Sequence, residues 1–155
     1  MASSSQIRSE IGPLILALAR AWRREGDKAL AQHGLSWATA IPLSVLSRRG
    51  KSVRQGVLAE EMGIEGPSLV RLIDLLQGDE LVVRREDGGD RRAKTLHLTP
   101  RGEAKAEEIN RVLRRVRASL LKNIDEEALA TTFETLQQIV RQADGLEQVN
   151  AEAAP

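Results

Sequence analysis

Near the start of the chain, apolar residues recur at three- and four-residue spacing, which predicts one long amphipathic helix from Ile7 to about Gln32. The stripe that this helix is expected to bury consists of Ile7, Ile11, Leu14, Ile15, Leu18 and Trp22. If Gly12-Pro13 marks the true start, the residues before it form a loose arm, because proline is tolerated in a first turn. His33-Gly34 is predicted to end the helix.

A second helix is predicted from the N-cap residue Ser36 to about Ser47. Pro42 lies inside this segment, where proline removes a backbone donor and clashes with the preceding turn. Either the helix kinks at Pro42 or it begins later than Ser36 indicates.

The stretch from Val53 to Gly102 has the order of a helix-turn-helix followed by a β-hairpin. The predicted elements are a helix from Val53 to Met62, a turn at Gly63, a helix from Gly66-Pro67 to Gly78, a strand over residues 81–85 and a return strand over residues 94–99. Gly88-Gly89 lies between the strands and permits a sharp reversal. The predicted fold class is therefore mainly α with a small β-hairpin wing (α+β), a winged helix-turn-helix.

The second helix of this pair has a one-sided apolar pattern. Its buried side is predicted to consist of Leu69, Val70, Leu72, Ile73, Leu75 and Leu76. Ser68 and Arg71, three residues apart, then share the outward face. The second helix of such a motif enters the major groove, where arginine suits guanine or a phosphate and serine suits a phosphate or a base edge. For Arg71 the alternative is an intrahelical salt bridge with Asp74.

The tip of the hairpin carries two adjacent arginines, Arg91 and Arg92. An arginine gains from the focused negative potential of a narrow minor groove, and it gains more when another group fixes its direction. Asp90, two residues before Arg92, is the candidate for that role. The alternative is a solvated hairpin tip, but the position of the tip directly after the helix pair favours DNA.

Two further helices follow the hairpin. Thr99 is predicted to cap the first of them at Pro100, and Asp125 to cap the second. Wide apolar stripes on the three terminal helices exceed what a small lobe can cover, so a second copy of the chain is the simplest partner. The predicted organisation is an N-terminal dimerisation helix (1–34), a DNA-binding lobe (35–102), C-terminal dimerisation helices (103–150) and a disordered tail (151–155).

Charge and composition narrow the function. Residues 102–124 carry six basic and three acidic side chains, including an arginine-rich exposed face, whereas residues 125–155 carry one basic and seven acidic ones. The acidic end is therefore expected to lie away from nucleic acid. With no cysteine, no apolar run near the roughly 18 residues of a membrane span and no secretion signal, we expect a cytoplasmic protein without a membrane partner, nucleoid-associated when it is bound to DNA.

The sequence does not predict catalysis. His33 and His97 have no second metal-type ligand at helical spacing beside them, and neither a Gly-rich phosphate loop nor a nucleophile elbow occurs. No enzyme activity, metal or cofactor is therefore expected.

Three motifs carry a family resemblance when they are taken together. They are Gly63-Ile64-Glu65-Gly66-Pro67-Ser68-Leu69-Val70-Arg71-Leu72, Asp90-Arg91-Arg92-Ala93-Lys94 and Leu98-Thr99-Pro100-Arg101-Gly102. They resemble the MarR family of transcriptional regulators, and most of all its SlyA branch. The resemblance implies a homodimer that binds a pseudo-palindromic operator in double-stranded DNA, with the terminal helices interleaved in the dimer. It maps the DNA contacts onto Pro67, Ser68 and Arg71 in the recognition helix and onto Asp90, Arg91, Arg92 and Lys94 in the wing.

The resemblance further implies a small aromatic or phenolic carboxylate effector, such as salicylate, bound between the dimerisation helices and the DNA-binding lobe. Trp22 and Trp37 are the candidates to line this pocket, and the alternative is that both are core residues. SlyA-like proteins commonly have an aromatic residue early in the second helix, where this chain has Thr39-Ala40, so the pocket is expected to differ. The predicted function is a ligand-modulated repressor or anti-silencer, and the alternative is a winged-helix protein-interaction module without DNA binding.

Overall fold

Six helices and three short strands make up the part of the chain that the computed structural model describes: residues 3–50, 52–86 and 94–152, with the backbone alone over 146–152. They are α1 (Ser4–Ala31), α2 (Trp37–Arg49), β1 (Val53–Arg54), α3 (Gln55–Met62), α4 (Gly66–Gly78), β2 (Val82–Glu86), β3 (Lys94–Leu98), α5 (Pro100–Leu120) and α6 (Glu126–Glu152). The chain divides into two units, Met1–Leu120 and Leu121–Pro155. The first unit contains α1 to α5 and the sheet, and the second contains α6.

Helix α1 begins at Ser4, well before Pro13. A reciprocal capping box accounts for this start, because the Ser3 hydroxyl accepts from the N–H of Gln6 (3.2 Å) and the Gln6 side chain accepts from the N–H of Ser3 (2.9 Å). Pro13 lies inside the helix, where it removes one backbone hydrogen bond. The expected loose arm is therefore helical from Ser4 onward.

Helix α2 is capped by Ser36, as predicted. The Ser36 hydroxyl accepts from the N–H of Thr39 at 3.2 Å, and the Thr39 hydroxyl accepts from the N–H of Ser36 at 3.3 Å. The helix continues through Pro42, which excludes the later start. The Pro42 ring is fully buried, so it contributes to the core.

Val53 and Arg54 form a strand, so the prediction that the third helix begins at Val53 was wrong. This strand, β1, pairs antiparallel with β3 and places Val53 opposite Leu96. Strand β2 pairs with the other edge of β3, which gives the order β1-β3-β2. Val53 is only 4% exposed. Its β-branched side chain suits a half-buried pleated surface, and this long-range pairing overrides the local helical pattern.

The turn between α3 and α4 is made by Gly63, as predicted. Its φ of 61° lies in the left-handed region, which glycine adopts without strain. Ala59, one turn earlier, is 9% exposed, and its carbonyl accepts from the N–H of Ile64 at 3.1 Å. The small side chain and the glycine together bring α3 and α4 into the close crossing of the motif.

Helix α4 buries a narrower stripe than its sequence predicted. Leu69, Ile73 and Leu76 are buried, whereas Val70 and Leu75 are 39% and 53% exposed. The prediction of burial was wrong for these last two residues, since only every third or fourth position of a short helix faces the core.

Every helix of the first unit contributes a fully buried side chain to one core. These residues are Leu30 of α1, Leu43 and Leu46 of α2, Leu58 of α3, Leu69 and Ile73 of α4 and Ile109 of α5, with Leu96 from β3. This shared core holds the recognition helix and the hairpin against α2 and α5.

The hairpin meets α5 at the corner formed by Thr99 and Gly102. The Thr99 hydroxyl accepts from the N–H of Gly102 at 2.9 Å and donates to the carbonyl of Glu80 at 2.6 Å, which confirms Thr99 as the cap of α5. A β-carbon on Gly102 would lie 1.9 Å from the carbonyl oxygen of Leu81. The Thr-Pro-Arg-Gly motif therefore joins α5 closely to the base of the wing.

Most of the predicted apolar stripe of α1 is exposed in the single chain, whereas Ile15 and Trp22 are half-buried. The buried residues of α1 are Gly26 and Leu30, near its C-terminal end. Its exposed apolar side chains are Ile7 (50%), Ile11 (37%), Leu14 (66%), Leu16 (62%) and Leu18 (50%). The expectation of burial is therefore wrong within one chain for Ile7, Ile11, Leu14 and Leu18, because the first turns of α1 extend beyond the core. None of the described helices combines the length and the apolar character that a membrane span requires.

Helix α6 carries exposed apolar side chains of its own. Asp125 caps it as predicted, because its Oδ2 accepts from the N–H groups of Glu127 (3.0 Å) and Ala128 (3.2 Å). Phe133 and Val140 are 62% and 58% exposed. The helix extends to residue 152, beyond the predicted start of the tail at 151, and residues 153–155 lie outside the described part.

Candidate nucleic-acid interface and effector cavity

The first two turns of α4 present the predicted DNA contacts to solvent. Pro67, Ser68 and Arg71 are all exposed. Glu65 occupies the N-cap position but makes no side-chain cap hydrogen bond. The N–H of Ser68 is therefore open to solvent or to a phosphate oxygen, which a helix N-terminus attracts.

Arg71 is not engaged by Asp74, so the alternative of an intrahelical salt bridge was wrong. Asp74 instead pairs with Arg84 of β2, whose Nη1 donates to Asp74 Oδ1 at 2.5 Å. The Nη2 of Arg84 donates to the carbonyl oxygen of Val70 at 3.1 Å. Within the described residues, Arg71 has neither a hydrogen bond nor an ion pair. Its guanidinium is available for an external anion.

The two strands of the wing are paired over all their described residues. Strands β2 and β3 are antiparallel, and Glu86 lies opposite Lys94. Lys94 Nζ lies 3.5 Å from Glu86 Oε1, so this predicted wing contact is shared with a neighbouring carboxylate. Asp90, Arg91 and Arg92, which were predicted to carry the wing contacts, lie outside the described residues.

A second site lies between α1, α2 and α5, where the first unit forms a cavity of about 320 Å³ that is partly open to solvent. Both predicted tryptophans line it. The lining residues are Trp22, Trp37, Ile41, Ser44, Val45, Arg48, Asn110, Leu113, Arg114 and Arg117. Two half-buried indole rings and three arginines thus face one space, a combination that suits a planar anion.

Trp37 is held in this wall by its contacts with α1. Its backbone N–H donates to Asp27 Oδ1 at 2.7 Å. Its ring lies so close to Gly26 that a β-carbon there would be 2.2 Å from Trp37 Cζ3. The absence of a side chain at Gly26 therefore lets the indole lie against α1 and form part of the cavity.

Sequence reasoning missed the polar half of the cavity. Arg114 and Arg117 were predicted only as an exposed basic face of α5, yet both line the cavity with Asn110. Asn110 is fixed by Ser44, whose hydroxyl donates to Asn110 Oδ1 at 2.7 Å. The available signal was the three- and four-residue spacing of Asn110, Arg114 and Arg117, which places them on one side of a helix. Arg48 is paired with Glu61 at 2.9 Å. Arg114 and Arg117 have no partner in the described part of the chain.

The two histidines make ordinary contacts. His33 Nδ1 lies 3.1 Å from Glu108 Oε1, and Lys105 Nζ donates to Glu108 Oε2 at 2.8 Å. The Lys105 hydrogen bond, assisted by His33, holds the pKa of the Glu108 carboxyl below its usual value although partial burial opposes this. His97 Nε2 lies 3.1 Å from the Thr95 hydroxyl. No cluster of metal-type ligands occurs among the described residues.

Comparison with known proteins identifies the family. A model of the MarR family matches residues 33–93 of the chain. The transcriptional regulator PA3341 is 37% identical over 86% of this chain and 98% of its own, and its crystal structure superposes with a TM-score of 0.81. The chain belongs to the MarR family. The predicted family and the winged helix-turn-helix fold are thereby confirmed, while the SlyA branch stays a prediction.

Other MarR-type structures share this architecture. A MarR family transcriptional regulator from Silicibacter pomeroyi is 29% identical, with a TM-score of 0.79 over 92% of this chain and 94% of that protein. A mutant of MarR from E. coli, crystallised with operator DNA, is 20% identical, with a TM-score of 0.74 over 89% of this chain and 99% of its own. This last likeness shows the common fold.

The MarR family match covers the recognition helix and most of the wing. Residues 33–93 include Pro67, Ser68 and Arg71 and the tip residues 90–92, but neither Lys94 nor the cavity arginines of α5. The family assignment therefore bears on the DNA-binding lobe, whereas the chemistry of the cavity rests on the geometry of this chain.

Proposed function

We propose that this MarR-family chain is a transcriptional regulator that binds double-stranded DNA through α4 and the β2–β3 wing. The observation that carries the proposal is the guanidinium of Arg71, which is exposed on the recognition helix beside Ser68 and has no partner among the described residues. In the major groove an arginine donates two hydrogen bonds to guanine, and a serine at the helix start binds a phosphate. The operator complex of the related fold from E. coli supports this assignment.

The proposed wing contacts are Arg92, with Asp90 setting its direction, and Arg91 and Lys94 on the phosphate backbone. The support for the first three is their sequence position between two strands that the structure pairs as a hairpin, and Lys94 begins the second of these strands. An arginine inserted into a narrow minor groove would add affinity and read groove width.

The proposed regulator acts as a homodimer. The exposed apolar stripe of α1, from Ile7 to Leu18, and the exposed Phe133 and Val140 of α6 are surfaces that a second copy would cover. A two-fold axis would then place two α4 helices about 34 Å apart, in successive major grooves of a pseudo-palindromic operator.

A salt titration tests the proposal. Duplexes that the protein selects from a random library should contain a palindrome. The logarithm of the protein's affinity for these duplexes should fall linearly with the logarithm of the salt concentration, because binding releases counterions from the DNA. Arg92→Ala should weaken binding by about 1–3 kcal/mol. Salt-insensitive binding, or a neutral Arg92→Ala, would exclude the DNA proposal and leave the alternative of a protein-interaction module.

We further propose that an aromatic or phenolic carboxylate occupies the cavity and modulates DNA affinity. The volume of about 320 Å³ suits a single-ring ligand. Trp22 and Trp37 would stack on the ring, and Arg114 and Arg117 would bind the carboxylate. Because α5 is joined to the wing base at Gly102, a ligand that displaces α5 would change the spacing or mobility of the two recognition helices in the dimer. We propose that binding of this chain to its operator represses the regulated gene or relieves its silencing, as the resemblance to the SlyA branch implies.

Fluorescence of the two tryptophans tests this second proposal. Salicylate should quench the emission and weaken operator binding, whereas salicylamide, which has a similar shape but no carboxylate, should do neither at the same concentration. Arg114→Gln/Arg117→Gln should abolish the salicylate response while leaving both tryptophans in place. Equal responses to the two compounds would exclude recognition of the carboxylate by these arginines.

A further inference from the structure

We propose that Arg84 is a positioning residue that keeps Arg71 available for DNA by holding the carboxylate of Asp74. The inference rests on the proposed DNA-binding function and assigns a role to a residue that does not itself read the duplex.

Arg84 lies in strand β2 of the wing, and its side chain reaches the recognition helix α4. Its Nη1 donates to Asp74 Oδ1 at 2.5 Å, and its Nη2 donates to the Val70 carbonyl at 3.1 Å. The Arg84 side chain is only 24% exposed, and its Nε is buried without a hydrogen-bond partner in the described part of the chain. This guanidinium is therefore directed at α4 and largely withdrawn from solvent.

Without Arg84, Asp74 would have a different partner. Arg71 and Asp74 are three residues apart on the exposed side of α4, and side chains at this spacing form helix salt bridges. The Asp74 side chain is 56% exposed, so its carboxylate is within reach of a neighbouring guanidinium. A free carboxylate on the recognition helix would both draw Arg71 away from the duplex and repel the phosphates.

The pairing of Arg84 with Asp74 removes both effects at once. It occupies the carboxylate and neutralises its charge from the wing side, while Arg71 has no partner among the described residues. It also connects β2 to α4 directly, so the wing and the recognition helix share one anchor. The consequence is a recognition helix whose single arginine has no partner in the described part of the chain, although an acid lies one turn away.

A suppressor experiment on the full-length protein tests this role. With a selected operator duplex, Arg84→Ala should weaken binding roughly 5- to 50-fold. Adding Asp74→Ala in the same chain should recover most of that affinity, because no carboxylate is left to capture Arg71. Adding Asp79→Ala instead restores the same net charge at an exposed position of α4's C-cap and should recover little. Equal recovery by both second substitutions would reduce the effect to net charge and overturn the proposal.

The contribution of Arg71 to DNA discrimination is a readout that a purely structural role of Arg84 would not change. In the wild-type background Arg71→Ala should lower discrimination between operator and random duplex, whereas in the Arg84→Ala background it should add less than about a twofold change. Arg85→Ala removes the same charge from the adjacent, exposed position of β2 and should leave the contribution of Arg71 intact. If Arg84→Ala does not fold, Arg84→Gln, which keeps a donor for the Val70 carbonyl, replaces it.

Two further outcomes separate the proposed role of Arg84 from the proposed DNA-binding function. Failure of Asp74→Ala to recover binding would show that Arg84 acts on DNA or on wing placement directly, and the inference would be wrong. Failure of the wild-type protein to bind any duplex at low salt would instead remove the proposed function itself.

Discussion

The indole ring of Trp37 lies against the backbone of Gly26, so close that a β-carbon on the glycine would be 2.2 Å from Trp37 Cζ3 and 2.5 Å from Trp37 Cε3. This contact places an aromatic ring of α2 against α1 at the wall of the cavity. It also makes Gly26 a position where a single methyl group has a large and local effect.

Gly26→Ala should displace the Trp37 ring and lower the free energy of unfolding by about 1–3 kcal/mol, although alanine itself favours the helix. Urea unfolding and the tryptophan emission maximum measure the two effects. Gly56→Ala in α3, where a β-carbon has nothing within 4 Å, is the matched control and should be neutral or stabilising. An unchanged emission spectrum in Gly26→Ala would contradict the tight contact.

Thr99→Val should lower the free energy of unfolding by about 1–2 kcal/mol, because it keeps the shape of threonine but loses the cap of α5 and the hydrogen bond to Glu80. Thr99→Ser keeps the hydroxyl and should retain most of the stability. Chemical denaturation of both variants measures the difference, and a loss in Thr99→Ser as large as that in Thr99→Val would show that the methyl group contributes as much as the hydrogen bonds.

The elements that the sequence predicted correctly depend on signals between near neighbours. Ser36, Thr99 and Asp125 cap helices through hydrogen bonds that span two or three residues, and Gly63 makes its turn through its own φ. Such contacts form wherever the local sequence allows them, so they can be inferred without knowing the tertiary structure.

The errors concern partners that are distant in sequence. Val53 is a strand residue because Leu96 pairs with it, and Asp74 is unavailable to Arg71 because Arg84 reaches it from the hairpin. No local pattern contains this information, since propensity is a weak prior that tertiary contacts override. The candidate cavity was predicted only by its tryptophans for the same reason: Arg114 and Arg117 lie on α5, far along the chain.

Glu108→Gln should lower stability only where the carboxyl is ionised. The Lys105 hydrogen bond and His33 lower the pKa of Glu108 in the folded chain, so the ionised form stabilises the fold above the unfolded pKa, and this stabilisation is lost as pH falls through the folded pKa. The difference in unfolding free energy between the chain and the variant should be at most about 1 kcal/mol, because the pair is partly exposed.

Urea unfolding of Glu108→Gln at several values between about pH 7 and pH 3 measures this dependence. The difference should shrink between about pH 5 and pH 3, around the ordinary pKa of a glutamate and below it. Glu107→Gln, at the adjacent exposed position of α5, is the control and should show no such trend. A difference that persists undiminished at the lowest pH would contradict the ionic origin of the effect.

Arg71→Ala should reduce the difference in binding free energy between operator and random duplex by about 1–3 kcal/mol. The thermal unfolding midpoint should not change, because Arg71 has no partner in the described structure to lose. Competition binding at fixed salt and thermal unfolding of the free protein are the two measurements. Arg141→Ala, which removes the same charge from α6 in the acidic C-terminal segment, should change neither. A stability loss in Arg71→Ala with an unchanged affinity ratio would assign Arg71 a structural role, and α4 would then need another side chain to read the bases.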